Sequence, residues 1–160
     1  MPIPWLPCVI ACMALSARSA TANPTRPGTY LSTGLTAGFV IDPGGREGGV
    51  LGVREELVHT RPTEGDAVGA LWYGISTGLS WRRPSGVRWD VGPVIGNAII
   101  LVGLGYSVAR LDSGTHQGLY GEALVGARYG GFYARYALAF DGRKTAELGF
   151  WAQLPIRIGD

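Results

Sequence analysis

The spacing of glycine is the feature of this sequence that most limits its fold. All 26 glycines lie beyond residue 22, and the longest run there without Gly or Pro is the ten residues 132–141. Helices of ordinary length would carry several of these glycines, each costing about 1 kcal/mol relative to Ala. Strands accommodate such a pattern when the glycines share one face of a sheet. The sequence therefore predicts an all-β fold.

Residues 1–22 have the features of a secretory signal peptide. An apolar run from Trp5 to Leu15 precedes Ala20-Thr21-Ala22, which fits a small-residue cleavage site. The run is too short for a transmembrane helix, which needs about 20 apolar residues. We expect residues 23–28 to be a leader and residues 29–160 to form a single domain.

Two forms of processing fit this segment. Cleavage after Ala22 is one alternative, and lipidation at Cys12 is the other, because Val9-Ile10-Ala11-Cys12 resembles a lipobox. Both cysteines of the chain, Cys8 and Cys12, lie in the segment, so cleavage after Ala22 leaves no thiol. That product would have no Cys nucleophile, no thiolate metal site and no disulfide.

Alternation of apolar and small residues with a period of two predicts eight strands. The third strand is typical, with Leu71, Ile75 and Trp81 on one face and Gly74 and Ser80 on the other. The predicted strands are 30–41, 50–59, 70–81, 87–95, 98–110, 117–129, 132–140 and 144–158.

Short connections indicate how the predicted strands are joined. Gly96-Asn97 and Gly130-Gly131 fit two-residue hairpin loops, and residues 141–143 fit a three-residue loop. Eight antiparallel strands with such connections favour an up-and-down barrel, since closure removes exposed edges.

The composition of the two faces indicates which one faces outward. Eleven of the twelve glycines in the predicted strands lie opposite the large apolar residues, with Gly121 the exception. An eight-stranded lumen is just wide enough for side chains to fill it, so it suits the Gly/Ser/Thr face. We therefore expect the apolar face to point outward, as in a membrane barrel.

Most strand charges fall on the small-residue face, with Arg157 near the end of the last strand. Glu55 is the mid-strand exception on the apolar face, and a local bulge would accommodate it. The charges predicted to form a structural network in the lumen are Arg54, Glu56, Arg88, Asp90, Glu122, Arg128, Arg135 and Glu147.

Alternation, hairpins, lumen charges and signal peptide together resemble the small eight-stranded outer-membrane β-barrels of the OmpA and OmpX type, over about residues 29–158. The resemblance implies an outer-membrane protein in contact with lipid. We further expect a monomer with a structural or surface-interaction role, no enzymatic activity and no cofactor. The net charge of +2, without a basic block, argues against nucleic acid as a partner.

Two alternatives remain open from the residues alone. A periplasmic or secreted lipocalin-like barrel would bind a small apolar ligand inside. A lipid-modifying membrane hydrolase would need Ser113 within hydrogen-bond reach of His116, beside Asp112. We assign these three residues to turn formation, and we expect His59 and His116 to be surface residues, because no metal-ligand spacing accompanies them.

Overall fold

A computed structural model describes residues 26–41, 47–61, 70–83, 86–97, 99–127 and 129–160. The predicted signal peptide, residues 1–22, lies outside this part of the chain. Among the described residues, no helix is long and apolar enough to cross a membrane. The eight strands of these residues are β1 (Gly28–Ile41), β2 (Glu47–Arg61), β3 (Leu71–Arg82), β4 (Gly86–Gly96), β5 (Ile100–Leu111), β6 (Gly114–Ala127), β7 (Gly130–Ala139) and β8 (Lys144–Gly159).

Each strand pairs antiparallel with its neighbours in sequence, and β8 pairs with β1 to close the barrel. The predicted all-β, up-and-down barrel is confirmed. Both flanks of every strand are hydrogen-bonded, so closure removes the exposed edges that an open sheet would have. The β1–β8 register is regular except for a shift beside Thr29, where β8 ends.

Two predicted hairpin loops lie elsewhere in the structure. Gly130 and Gly131 belong to β7, where Gly130 pairs with Ala127 and Gly131 with Gly126, so neither glycine forms the turn. Gly96 pairs with Leu101 instead of forming the turn. The Asn97 side chain accepts hydrogen bonds from the N–H groups of residues 99 and 100, both 2.9 Å, and these bonds order the connection.

The β7–β8 hairpin also turns one residue earlier than predicted. The N–H of Ala139 donates to the carbonyl of Arg143, which leaves Phe140, Asp141 and Gly142 as the loop. Gly142 has a φ of 87°, the left-handed conformation that closes a three-residue hairpin loop. Glycine adopts this conformation without the steric cost of a Cβ.

The apolar face points outward, as predicted. Within the described ranges, 28 large hydrophobic residues are exposed whereas 11 hydrophobic residues are buried, the reverse of a water-soluble core. Along β1, for example, Tyr30 and Ser32 are buried in the lumen and Leu31 between them is exposed. Side-chain alternation along each strand therefore separates an apolar exterior from a mixed interior.

Most exposed aromatic residues lie near one of the two ends of the barrel, within three residues of a strand end, and Phe150 in the middle of β8 is the exception among the described residues. We call the end where β1 begins and β8 ends the termini end, and the opposite end the hairpin end. Aromatic residues of the hairpin end are Phe39, Trp81, Trp89, Tyr136 and Phe140, and those of the termini end are Tyr73, Tyr129 and Phe132.

An apolar cluster fills the lumen toward the termini end. Its members all lie within three residues of a strand end there, and Trp151 packs against them. The cluster consists of Tyr30, Val58, Ala70, Trp72, Val94, Leu101, Leu124 and Tyr133.

Glu55 lies on the outer face without the bulge proposed for it. It pairs in regular register with Thr33 of β1 and Thr77 of β3. The bulge hypothesis is therefore wrong, and the three residues form a short polar row across the outside of the barrel.

Candidate functional site

The lumen network is built from residues two apart on single strands, which therefore share a face. Arg54 and Glu56 come from β2, and Arg88 and Asp90 come from β4. Three further strands each contribute one of the predicted charges, namely Glu122 of β6, Arg135 of β7 and Glu147 of β8.

Arg54 joins two carboxylates on opposite sides of its guanidinium. Its Nε lies 2.5 Å from Oε1 of Glu56, and its Nη1 lies 2.6 Å from Oε1 of Glu122. The other oxygen of Glu122 accepts two hydrogen bonds from Arg135, at 3.1 and 2.6 Å. Glu122 thus bridges β2 to β7.

Asp90 continues the chain of charges. Its Oδ2 accepts from Nη1 of Arg135 at 2.5 Å and from Nε of Arg88 at 2.8 Å. Arg88 in turn forms a bidentate pair with Glu147, at 2.7 and 3.3 Å. Such fork-shaped pairs fix geometry as well as supplying energy.

Glu147 has two further partners that the sequence analysis did not assign to the network. Arg82 donates to its Oε2 at 3.3 Å, and the Tyr133 hydroxyl donates to its Oε1 at 2.7 Å. Arg82 was placed beyond the end of the third strand, but it shares the parity of Ser80 and faces the lumen with it. Extending the alternation by one residue would have found it.

The structure joins seven of the eight predicted lumen charges in this network, and Arg128 lies outside the described residues. Arg157 is on the rim, where it donates to the carbonyl of Pro27 at 2.9 Å. With Arg82 included, four arginines alternate with four carboxylates, so the network is electrically neutral. Its sequence of contacts is Glu56, Arg54, Glu122, Arg135, Asp90, Arg88, Glu147 and Arg82.

These charges are taken out of solvent. Arg88 and Asp90 are each 2% exposed, and Glu56 is 1% exposed. An unpaired charge at such a position is strongly unfavourable, which the alternation of sign prevents. A cavity of about 20 Å³ bordered by Arg54 and Arg135 has room for about one water molecule.

A second polar cluster lies at the hairpin end. Ser113 is in the turn after β5, His116 is near the start of β6, and Asp141 is in the turn after β7. Because β6 and β7 are neighbours, the two hairpins meet, and the N–H of Phe140 donates to the carbonyl of Gln117 at 2.8 Å.

Side-chain hydrogen bonds link this rim cluster of Ser113, His116, Asp141 and Arg143. His116 Nε2 lies 3.0 Å from Ser113 Oγ, and His116 Nδ1 lies 2.6 Å from Asp141 Oδ2. Arg143 Nη1 donates to Ser113 Oγ at 2.7 Å. Ser113 and His116 are thus brought together as the hydrolase alternative requires, but the acid is Asp141 rather than Asp112.

The environment of Asp141 favours its ionised form. The backbone N–H of Arg143 donates to Oδ1, and His116 donates to Oδ2, so together they hold the pKa of Asp141 below its usual range. The His116 side chain is 11% exposed and lies partly buried at the rim of the barrel.

His59, by contrast, stays near the outer surface at the termini end. It lies 3.3 Å from the Thr29 hydroxyl and packs edge-on against Tyr73. In the part of the chain that the structure covers, no group of three or more His, Cys, Asp and Glu residues is placed to hold a metal ion.

No protein-family model and no curated protein matches this chain. It is similar to a solved structure from the de novo design of transmembrane β-barrels, with 10% sequence identity and a TM-score of 0.45. The similarity covers 81% of this chain and 98% of the designed one. The barrel itself is established by the strand pairing described above.

Proposed function

We propose that this chain is a monomeric outer-membrane β-barrel whose body has a structural or surface-interaction role. The observation that carries the proposal is the exterior of the barrel, where residues such as Leu104 and Ile75 are 69% and 59% exposed at mid-strand. An apolar belt of this extent is unfavourable in water and matches the hydrocarbon core of a bilayer.

Two further features support a membrane location. The strands are 10 to 16 residues long, and a tilted strand needs about 9–11 residues to cross a bilayer. Aromatic residues such as Trp81 and Phe132 lie near opposite ends, where membrane barrels carry their aromatic girdles. Both features agree with lipid as the partner of the exterior.

The lumen supports a structural role for the barrel body. Its charges are paired with one another, and an apolar cluster fills the termini end. We therefore expect no increase in ion conductance when the protein is reconstituted in planar bilayers. The lipocalin-like alternative is not favoured, because its ligand would need an open apolar interior, whereas most large apolar side chains face outward and an apolar cluster fills the termini end of the lumen.

The location is tested by single cysteines introduced into the segment after Ala22, which contains none. Ile75→Cys, Leu104→Cys and Phe150→Cys probe the exterior at mid-strand, and Asp112→Cys in a turn is the control. In isolated outer membranes, a charged thiol reagent should label Asp112→Cys and leave the others unmodified, since hydrocarbon excludes the reagent. A membrane-permeant reagent should label all four.

Cell fractionation completes the test. We expect the protein in the outer-membrane pool, released only by detergent. Recovery in the soluble periplasmic pool, or free modification of Leu104→Cys by the charged reagent, would show that the exterior faces water and would refute the proposal.

A further inference from the structure

The rim cluster has the connectivity of a serine hydrolase, and the geometry points to an esterase site at Ser113. In such a site a hydroxyl contacts an imidazole, and the other imidazole nitrogen contacts a carboxylate. Here the two distances are 3.0 Å from Ser113 to His116 and 2.6 Å from His116 to Asp141. Both are within the range expected for nucleophile, base and orienting acid.

The partners of each atom fix where the protons lie. An ionised carboxylate only accepts hydrogen bonds, so His116 Nδ1 must donate to Asp141, and Nε2 is left as an acceptor. Arg143 donates to Ser113 Oγ, so the hydroxyl proton is directed toward His116 Nε2. The serine is therefore oriented for proton transfer to the imidazole.

The proposed reaction is the hydrolysis of a carboxylic ester by water. Ser113 Oγ bonds to the carbonyl carbon while His116 Nε2 accepts its proton. The ester C–O bond then breaks, and the alcohol leaves with that proton. Water attacks the acyl-serine, again through His116, which releases the carboxylic acid and restores the serine.

Arg143 is placed to stabilise the negative charge that develops in both steps. Its Nη1 is 2.7 Å from the attacking oxygen, so the guanidinium is within reach of an adjacent carbonyl oxygen. Charge-stabilising donors of this kind act where the oxyanion forms. A cavity of about 50 Å³ lined by His116, Arg143 and Ala139 provides room for water on the lumen side.

The position of the cluster indicates the class of ester. Phe140, next to Asp141, is 68% exposed on the exterior and contacts the ring of Tyr106 at 6.3 Å between centroids. This places the reactive groups at the level of the hairpin-end aromatics, where a bilayer presents the polar ends of its lipids. This step rests on the membrane location proposed above, and on that basis the substrate class is an acyl ester of a membrane amphiphile.

This inference departs from the prediction that the chain is not an enzyme, and it can be tested without a membrane. The full chain, folded in detergent micelles, is incubated with a fluorophosphonate probe that modifies activated serines. We expect covalent labelling, mapped by mass spectrometry to Ser113. Labelling of another residue, or no labelling at all, would overturn the inference. This readout uses the parent chain, so it does not depend on whether a variant folds.

Hydrolysis of p-nitrophenyl esters gives the second readout. Ser113→Ala should abolish activity, and His116→Gln should lower kcat by about 10²–10⁴-fold, the usual contribution of a general base. Asp112→Asn, in the same turn but outside the cluster, should retain parent activity. Equal activity in parent and Ser113→Ala, with both folded by circular dichroism, would refute the site.

Chain length decides the substrate class. We expect a higher kcat/KM for p-nitrophenyl dodecanoate than for the butyrate ester. An equal or higher value for butyrate would overturn the assignment of a lipid-like ester. Neither assay depends on where the protein resides, so a negative result leaves the proposed membrane location to its own test.

Discussion

Arg135 and Asp90 meet across the lumen, with Nη1 of the arginine 2.5 Å from Oδ2 of the aspartate. Their strands, β7 and β4, are not neighbours in the barrel. Arg135 also pairs with Glu122 on β6, and its guanidinium lies 4.6 Å from the centre of the Tyr120 ring. One side chain thus ties together walls of the barrel that no backbone ladder connects.

Replacing this arginine should destabilise the barrel strongly. Arg135→Met leaves Asp90 and Glu122 each short of one partner in a buried setting, so we expect the free energy of unfolding to fall by about 3–5 kcal/mol. Urea unfolding in lipid vesicles, followed by tryptophan fluorescence, measures the change. The matched control is Arg110→Met, an exposed arginine of β5, which should shift stability by less than about 1 kcal/mol.

A second substitution tests whether charge balance is the cause. Adding Glu122→Gln to Arg135→Met restores neutrality in the network, so the double variant should be more stable than additivity of the two single changes predicts. Simple additivity would mean that the two side chains contribute independently, contrary to the contacts seen.

Gly149 makes space for Tyr133, and this gives another prediction. A Cβ at Gly149 would overlap the β1 backbone at the carbonyl oxygen of Ala37, and it would also meet Tyr133 Cε1 at 2.7 Å. Gly149→Ala should therefore displace the Tyr133 hydroxyl from Glu147 and lower the free energy of unfolding by about 1–3 kcal/mol, as overpacking does. The hydroxyl's environment can be followed by the ultraviolet absorbance of tyrosine.

Gly121→Ala is the control for that change. Gly121 faces outward, and an added Cβ would meet only the flexible end of Leu104, at 3.2 Å. We expect stability within about 0.5 kcal/mol of the parent. A loss equal to that of Gly149→Ala would mean that strand glycines act through backbone entropy rather than through the space they leave for the neighbouring strand and for Tyr133.

The pKa of Asp141 provides a prediction at the rim. The Arg143 N–H and the His116 side chain lower the pKa of this carboxyl. The contact between Asp141 and His116 is therefore fully formed at pH values above the ordinary aspartate pKa, and it is lost only as the pH falls through the lowered pKa. His116→Ala should raise the pKa of Asp141 part of the way, since the Arg143 N–H, the larger cause, remains. Carbon-detected NMR titration in micelles measures it, and an unchanged pKa would contradict the contact.

Glycine has two structural roles that look alike in this sequence, close packing between strands and turn formation. This explains why the faces of the strands were predictable and the turns were not. Gly131 was assigned to a turn, yet it lies in β7 opposite Gly126, and a Cβ on either glycine would come within 2.6 Å of the other's Cα atom. A glycine that permits close strand packing looks in sequence like one that permits a turn. The resulting register error was four residues, an even number, so each side chain still pointed the predicted way.

The network and the rim cluster differ in how much of them the sequence reveals. Lumen charges follow from parity alone, because any charged residue in phase with the glycines must face inward. The contact of His116 with Asp141 depends instead on two hairpins that are 25 residues apart meeting at one end of the barrel. Only the pairing of β6 with β7 brings these two turns together. From sequence alone the acid considered was therefore Asp112, which lies close to His116 along the chain.

Two glutamates at mid-strand on opposite faces allow the orientation of the barrel to be tested by stability. Glu122→Leu removes a partner of Arg54 and Arg135 in the lumen and should lower the free energy of unfolding by about 3–5 kcal/mol.

Glu55→Leu replaces a charge on the exterior, between Thr33 and Thr77, and should raise the free energy of unfolding in lipid vesicles by about 1–2 kcal/mol, because a carboxylate on the lipid face is unfavourable. Both are measured by urea unfolding in vesicles at one lipid composition. A barrel whose exterior meets water gains nothing from Leu at position 55, and such a variant would aggregate without detergent. Opposite signs for the two substitutions therefore require lipid outside and paired charges inside, whereas a loss of stability in both would contradict the proposed orientation.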